Sequence, residues 1–222
     1  MKYTNPDLDS SYRENNLGKD LYDAVLEHKP KKIIEFGSLY GYSTVAMALA
    51  LHELGEGSIC VYDLFESYMY THSAHKHTSQ ESLKKGGLRY YLEAFIMDIP
   101  MWLHPSRNMI SRRQVRTNLE KYGVSNFVTL KKMNFKDWIK NPEPFDMMHF
   151  DVANNGDTLR ALYEAVKPFV QAGSHVYFEG GSAERDSLVW MEKHGLKKIS
   201  ESGVPYRVVN ENFPSLSVIE RV

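Results

Sequence analysis

The chain has 222 residues, 42% hydrophobic and 25% charged, the composition of one ordinary globular domain long enough to bury a core without cross-links. Its 27 basic and 28 acidic residues nearly cancel, to a formal net charge of −1, so no nucleic-acid partner is expected. The single cysteine, Cys60, excludes an internal disulfide framework and fits a reducing compartment. The opening "MKYTNPDLDSSYRENN" has no apolar signal core, and the longest apolar run, Val45 to Leu51, is too short to span a bilayer. A cytoplasmic protein without a membrane partner is therefore expected.

In chain order, Asp20 to His28 reads as a short helix with Leu21, Val25 and Leu26 on one face, stopped by Pro30. Ile33 to Phe36 is a short strand of the kind buried on both faces, and Tyr42 to Leu54 a helix. Ser58 to Tyr62 is a second strand, ending at Asp63. An insertion from Tyr68 to about Arg107 follows, rich in His, Tyr and Met, in which Leu88, Tyr91, Leu92, Phe95, Ile96 and Ile99 keep helical spacing. Further strands are expected at Phe127 to Leu130, Phe145 to Phe150 and His175 to Phe178. The tail from Leu196 carries two β-like runs around "NENFPSL", which suits a terminal antiparallel hairpin. Strands alternating with helices predict an α/β domain with a parallel sheet and right-handed crossovers, over residues 1–222 as one unit.

The seam "KKIIEFGSLYGYSTVAMALALH", from Lys31 to His52, is the most informative stretch. Its glycines stand as G-x-x-x-G and not in the G-x-G-x-x-G spacing of the dinucleotide fingerprint. Gly37 and Gly41 still allow a tight turn and close backbone approach to a ligand, beside the N–H groups that open the next helix. Asp63, closing the second strand, is placed to accept hydrogen bonds from a ribose diol. Glu35 adds negative charge at the mouth of the first strand, a poor choice for a pyrophosphate and a sensible one for a ligand carrying an ammonium and a sulfonium.

"IIEFGSLYGYSTVAMAL" resembles the first conserved segment of class I S-adenosylmethionine-dependent methyltransferases, above all the small catechol-type and caffeoyl-CoA-type O-methyltransferases. The resemblance continues through "VYDLFESY", "FDMMHFDVANNGD" and "AGSHVYFEGGSAERD". It implies a Rossmann-like, doubly wound sheet of seven mostly parallel strands with a C-terminal antiparallel strand. It also implies that Glu35, Gly37, Ser38 and Gly41 line the methionine half of S-adenosylmethionine, that Asp63 holds the ribose, and that Asn134 and Phe135 flank the adenine.

Asp151 and Glu179 each end a strand at the carboxyl edge, where open α/β sheets place ligands. In the metal-dependent members of the family, acids at these positions hold a magnesium-like ion that lowers the pKa of an acceptor hydroxyl. The resemblance thus implies Asp151 and Glu179 as ligands of Mg2+ or Mn2+, an oxygen set suited to a hard cation. Asp157 either completes that set or caps the helix that begins near it. Asn154 stands where the family carries a lysine base, and Gly180 where it carries an asparagine. Without a metal, Asp151 would touch the cofactor amine or the acceptor, and Glu179 would pair with Arg185.

The missing lysine leaves the base open. His75 and His77 in "THSAHKHT" are candidates, since a neutral imidazole suits proton removal near pH 7. His149, two residues before Asp151 and so on the same strand face, is another, with a hydrogen-bonded core histidine as the alternative. Tyr68, Tyr70, Tyr90, Tyr91 and Trp102 crowd the insertion, which reads as a substrate lid or a homodimer contact. The expected activity is methyl transfer from S-adenosylmethionine to an oxygen of a small polar acceptor such as a sugar, nucleotide-sugar, glycan precursor or natural product. Its alternatives are a metal-independent transfer with a histidine base, a nicotinamide-dependent oxidoreductase, and a non-catalytic nucleotide-binding module.

Overall fold

The computed structural model describes residues 2–65, 67–69, 107–109, 111–152, 155–187, 191 and 195–221. Its centre is a seven-stranded sheet built from β1 (Lys32–Phe36), β2 (Ser58–Asp63), β5 (Val128–Lys132), β6 (Met147–Phe150), β7 (His175–Glu179), β8 (Tyr206–Asn210) and β9 (Leu216–Ile219). The strand order is β5-β2-β1-β6-β7-β9-β8. The five strands β5, β2, β1, β6 and β7 run parallel, while β9 is antiparallel to both β7 and β8, so the tail forms the expected hairpin. Among the described residues no helix is long and apolar enough to cross a membrane.

Alternation along the strands sorts the core into two layers. Ile33, Ile59, Val61 and Met147 face one side, which helices α1 (Leu17–His28), α2 (Tyr42–Leu54) and α3 (Arg112–Lys121) cover. Ile34, Phe36, Cys60, Met148 and Phe150 face the other, under the short α4 (Phe135–Trp138) and the long α5 (Gly156–Ala172). Helix α2 is mostly apolar and buried continuously from Tyr42 to Leu51, because α1 packs on it from outside and the sheet from inside. The chain winds outward from β1 through β2 to β5, then returns to β6 on the opposite side of β1. That reversal opens a crevice beyond the carboxyl ends of β1 and β6, the place where such sheets hold ligands.

Element boundaries moved where tertiary contacts decide them. Helix α1 begins at Leu17, three residues before the expected Asp20, and its Gly18 lies under the Tyr42 ring, where a Cβ would sit 2.9 Å from Tyr42 Cε1. β5 runs on to Lys132 because its backbone stays paired with Asp63 of β2, although its lysines hide the strand from a hydropathy reading. β6 begins at Met147, since the Asp146 carboxylate turns aside to accept from the Lys31 and Lys32 N–H groups, both at 2.8 Å. The two ends of the insertion meet in a small antiparallel ladder of β3 (Ser67–Met69) and β4 (Arg107–Met109). Tyr70, Tyr90, Tyr91 and Trp102 and the helical spacing from Leu88 to Ile99 lie outside the described residues.

At the opposite, amino edge, His28 ends α1 and stacks on His175 at the start of β7, ring centroids 3.7 Å apart and 5° from parallel. His28 Nε2 meets the Tyr177 hydroxyl at 2.9 Å. Burial lowers both imidazole pKa values below 6.5; Arg207 adds to this at His28, and His28 and Arg221 at His175, while Glu27 opposes it at both. The unfolded chain therefore binds more protons than the folded one just below pH 6.5, and the stability contributed by the neutral pair is lost as pH falls through that window. Chemical denaturation between pH 7.5 and 5 should show this loss, and His28→Gln should flatten the acid side of the profile.

Candidate active site at the carboxyl edge of the sheet

The turn after β1 is held by main-chain geometry. Gly37, Leu39 and Gly41 all have positive φ, at 83°, 48° and 90°, so the segment coils tightly before α2 begins. Gly37 N donates to Tyr62 O at 3.3 Å, and Asp151 N donates to Phe36 O at 2.9 Å. A Cβ on Gly37 would lie 2.0 Å from the Asp151 carbonyl oxygen. Only glycine lets the turn and the end of β6 approach this closely. Gly41 is the N-cap of α2 and brings no side chain to its first N–H groups.

Asp63 fixes the turn from the side. Its Oδ2 accepts from Ser38 N at 2.9 Å and Ser38 Oγ at 3.1 Å, and its Oδ1 accepts from Phe65 N at 2.8 Å. Phe65, at φ 50°, and Leu39 are positive-φ residues without the glycine excuse, and both sit at this edge; such strain concentrates at ligand sites. Leu64 after β2, Met133 after β5 and Val152 after β6 are three of the four exposed large apolar side chains among the described residues. They give the edge apolar surface, with Leu64 next to Asp63 and Met133 N donating to Asp63 O at 3.2 Å.

Glu35 is placed differently from an acid open at the strand mouth. It shares a face with Ile33, and that face points into α2, so the carboxylate is wholly buried. Ser43 Oγ donates to it at 2.5 Å, Thr44 Oγ1 donates to its other oxygen, and His149 Nδ1 lies 3.1 Å away. His149 stands opposite Glu35 in the β1–β6 register and is equally buried. Its Nε2 is 3.2 Å from the hydroxyl of Tyr12, whose ring meets the imidazole edge-on. A carboxylate can only accept, so Nδ1 carries a proton, and Nε2 pairs with the Tyr12 hydroxyl. His149 is thus a hydrogen-bonded core histidine beneath the site, with no face open for a base. Tyr12 has its pKa pushed well above 10, first by burial and then by the charges of Asp151, Glu179 and Glu35, with Arg185 opposing.

The expected metal ligands do not come together. Glu179, at the end of β7, accepts from Arg185 Nε at 3.1 Å, and both side chains are buried. Removing the acid from that pair would leave a buried cation uncompensated. Asp157 is exposed in the first turn of α5, whose N-cap is Asn155, accepting from Thr158 N at 3.0 Å. Among the described residues no three His, Cys, Asp or Glu side chains could hold a metal ion. Asp151, Glu179 and Asp157 therefore do not fit Mg2+ or Mn2+ as a set. Asn134 caps α4, accepting from Lys136 N at 2.8 Å, and Phe135 is buried against Phe36 and Phe150. His75, His77 and Asn154 lie outside the described residues.

Tyr12 was not among the sequence-derived candidates. Its partner is 137 residues away, and no local pattern marks a tyrosine in a turn as the end of a buried chain.

Two glycines with similar φ separate the close approach from the turn itself. At Gly37 an added Cβ meets main chain, whereas at Gly55 (φ 77°) nothing lies within 4 Å. Gly55→Ala should cost about 1–2 kcal/mol of left-handed strain, and Gly37→Ala about 1–3 kcal/mol more for the clash, measured by urea denaturation. Equal costs would mean that the turn and β6 do not pack as described.

The comparisons with known proteins agree with this geometry. Among curated proteins none matches the sequence. An SAH-bound methyltransferase from Podospora anserina superposes with TM-score 0.53 at 14% identity, covering 97% of this chain and 80% of that one. An O-methyltransferase from Bacillus cereus in complex with SAH gives 0.51 at 15%, covering 97% and 84%. A cofactor-bound protein from MTB gives 0.53 at 14%, covering 97% and 83%. At such identities the likeness concerns the fold. The family is fixed by the sequence profile described as "Methyltransferase domain", which matches residues 34–179 and so runs from β1 to the last residue of β7. The chain belongs to that family and is a class I S-adenosylmethionine-dependent methyltransferase.

Proposed function

We propose that the protein transfers the methyl group of S-adenosylmethionine to an oxygen of a small polar acceptor, with a sugar hydroxyl, free or on a nucleotide or glycan precursor, as the first choice. The observation that supports this reading is the close approach of Gly37 to the main chain of Asp151, which brings the end of β6 against the turn we assign to the cofactor. The bound cofactor supplies an electrophilic methyl on a sulfonium. The protein then has to align an acceptor oxygen and relieve it of a proton.

Asp151 is the residue we assign to that contact, as hydrogen-bond acceptor for the acceptor's hydroxyl. Asp63 is assigned to the ribose, with Gly37, Ser38 and Gly41 around the methionine half and Asn134 and Phe135 beside the adenine. Glu35 acts on the cofactor through its hold on α2. His75 and His77 in the insertion remain candidates for proton removal. The commitment of Glu179 to Arg185 favours a transfer without a divalent cation. The family assignment sets aside a nicotinamide-dependent oxidoreductase.

S-Adenosylhomocysteine should bind with micromolar affinity and NAD should not bind detectably, as read by calorimetry. Asp63→Ala should weaken the former by about 1–3 kcal/mol, since it removes a charge-assisted contact and frees Ser38. Undiminished binding by that variant would remove Asp63 from the site.

Transfer of a labelled methyl to a panel of sugars and nucleotide-sugars should survive excess chelator. Asp151→Asn should lower it at least about 100-fold with S-adenosylhomocysteine affinity nearly intact, the usual scale of a general acid–base contribution. Loss of turnover in chelator with recovery on adding Mg2+ or Mn2+ would restore the metal-assisted reading.

A further inference from the structure

Residues 2–16 form no strand and no helix, yet they are laid down in order. From Pro6 to Tyr12 every second residue is buried (Pro6, Leu8, Ser10, Tyr12), while Asp7 and Asp9 are exposed. The alternation runs into a turn, where Arg13 N donates to Ser10 O at 3.2 Å, so Tyr12 enters the core from a bend in the chain. The segment's hydrogen bonds reach well-separated parts of the fold. Asp7 N donates to the Tyr122 hydroxyl beyond α3 at 2.6 Å, the Tyr12 hydroxyl meets His149 on β6, and Asn15 Nδ2 donates to Phe213 O before β9. The Tyr12 phenol reaches β6 at His149, two residues before Asp151 at the strand's end. The segment is a strap that ties α3, β6 and the tail together.

Two of its ties end on one target. Tyr42, Ser43 and Thr44, the first three residues of α2, all donate their hydroxyls to partners within the protein. Tyr42 donates to Asn5 Oδ1 in the strap at 2.7 Å. Ser43 and Thr44 donate to Glu35, which accepts from His149, which pairs with Tyr12, again in the strap. The first turn of α2, which continues the cofactor turn, is thus tied to the strap by a direct bond and by a four-member buried chain. Every polar group in that chain is satisfied only while Tyr12 is in place. Withdrawing the phenol leaves His149 Nε2 buried without its partner.

We propose that Tyr12 is a positioning residue for the cofactor: through His149 and Glu35 it couples closure of the N-terminal strap to the geometry of the turn that receives S-adenosylmethionine. The proposal rests on the assignment of that turn to the cofactor. Coupling is reciprocal, so cofactor binding must tighten the strap by as much as the strap tightens the cofactor.

The test uses the full chain and S-adenosylhomocysteine as probe. In the unmodified protein, adding the probe should slow amide exchange across residues 7–12. Tyr12→Phe, which removes one hydroxyl, should weaken probe binding about tenfold, the equivalent of one buried hydrogen bond, and should abolish the ligand-induced protection. Tyr122→Phe releases the strap at Asp7 without touching the buried chain, and should bind the probe within about twofold of the unmodified protein. Tyr12→Phe binding the probe normally while melting at lower temperature would reduce Tyr12 to a packing residue and overturn the proposal. Probe binding without protection of residues 7–12 in the unmodified chain would overturn it without any substitution. Failure of the unmodified chain to bind the probe would overturn the cofactor site as well, which separates the two.

Discussion

A carboxylate cut off from water must find its donors inside the protein, and Glu35 imposes that demand at the centre of this fold. Leaving a buried acid unsatisfied costs more than most single contacts return. Four parts of the chain meet the demand together: β1 supplies the acid, β6 the imidazole, α2 two hydroxyls, and the N-terminal segment the phenol behind the imidazole. Because the donors are specific in direction, the network also sets how α2 enters the core and where the turn from Gly37 to Gly41 stands.

The second carboxyl-edge pair works differently. Glu179 and Arg185 neutralise each other within one short turn, and Ser182 caps that turn by accepting from Arg185 N at 3.2 Å. Asp151 stands between the two networks, anchored through its main chain to Phe36 and Gly37. The turn from Gly37 to Gly41, the acid beside it and the buried ion pair therefore follow from three adjacent strand ends, and the reversal of strand order puts all three at one crevice.

Much of this was legible from local punctuation. Gly37, Gly41 and Asp63 lie at strand ends and helix starts, and α2 runs from Tyr42 to Leu54 as its apolar run predicts. The antiparallel tail was readable from two β-like runs around a turn. Glu35 carried a signal that could have been used: it alternates with Ile33 on the face that the mostly apolar α2 must cover, so burial was more natural than exposure. The pairing of Glu179 with Arg185 was one of two open readings, because the same acid at a strand end serves a metal or a guanidinium equally well. Phe135 reads the same whether it flanks a ligand or fills a core. Tyr12 was not legible, since its meaning depends wholly on a residue brought near by the sheet.

The turn that carries Tyr12 has a consequence for how the N-terminal segment can vary. Arg13 N donates to Ser10 O at 3.2 Å and Leu17 N donates to Tyr12 O at 3.1 Å, so the backbone around the phenol is closed on itself and joined to the start of α1. Substitutions at the outward positions, such as Asp7 or Asp9, leave that closure alone. Gaining or losing one residue between Ser10 and Leu17 would break it and carry the phenol away from His149. The segment's spacing is therefore a tighter constraint than its composition.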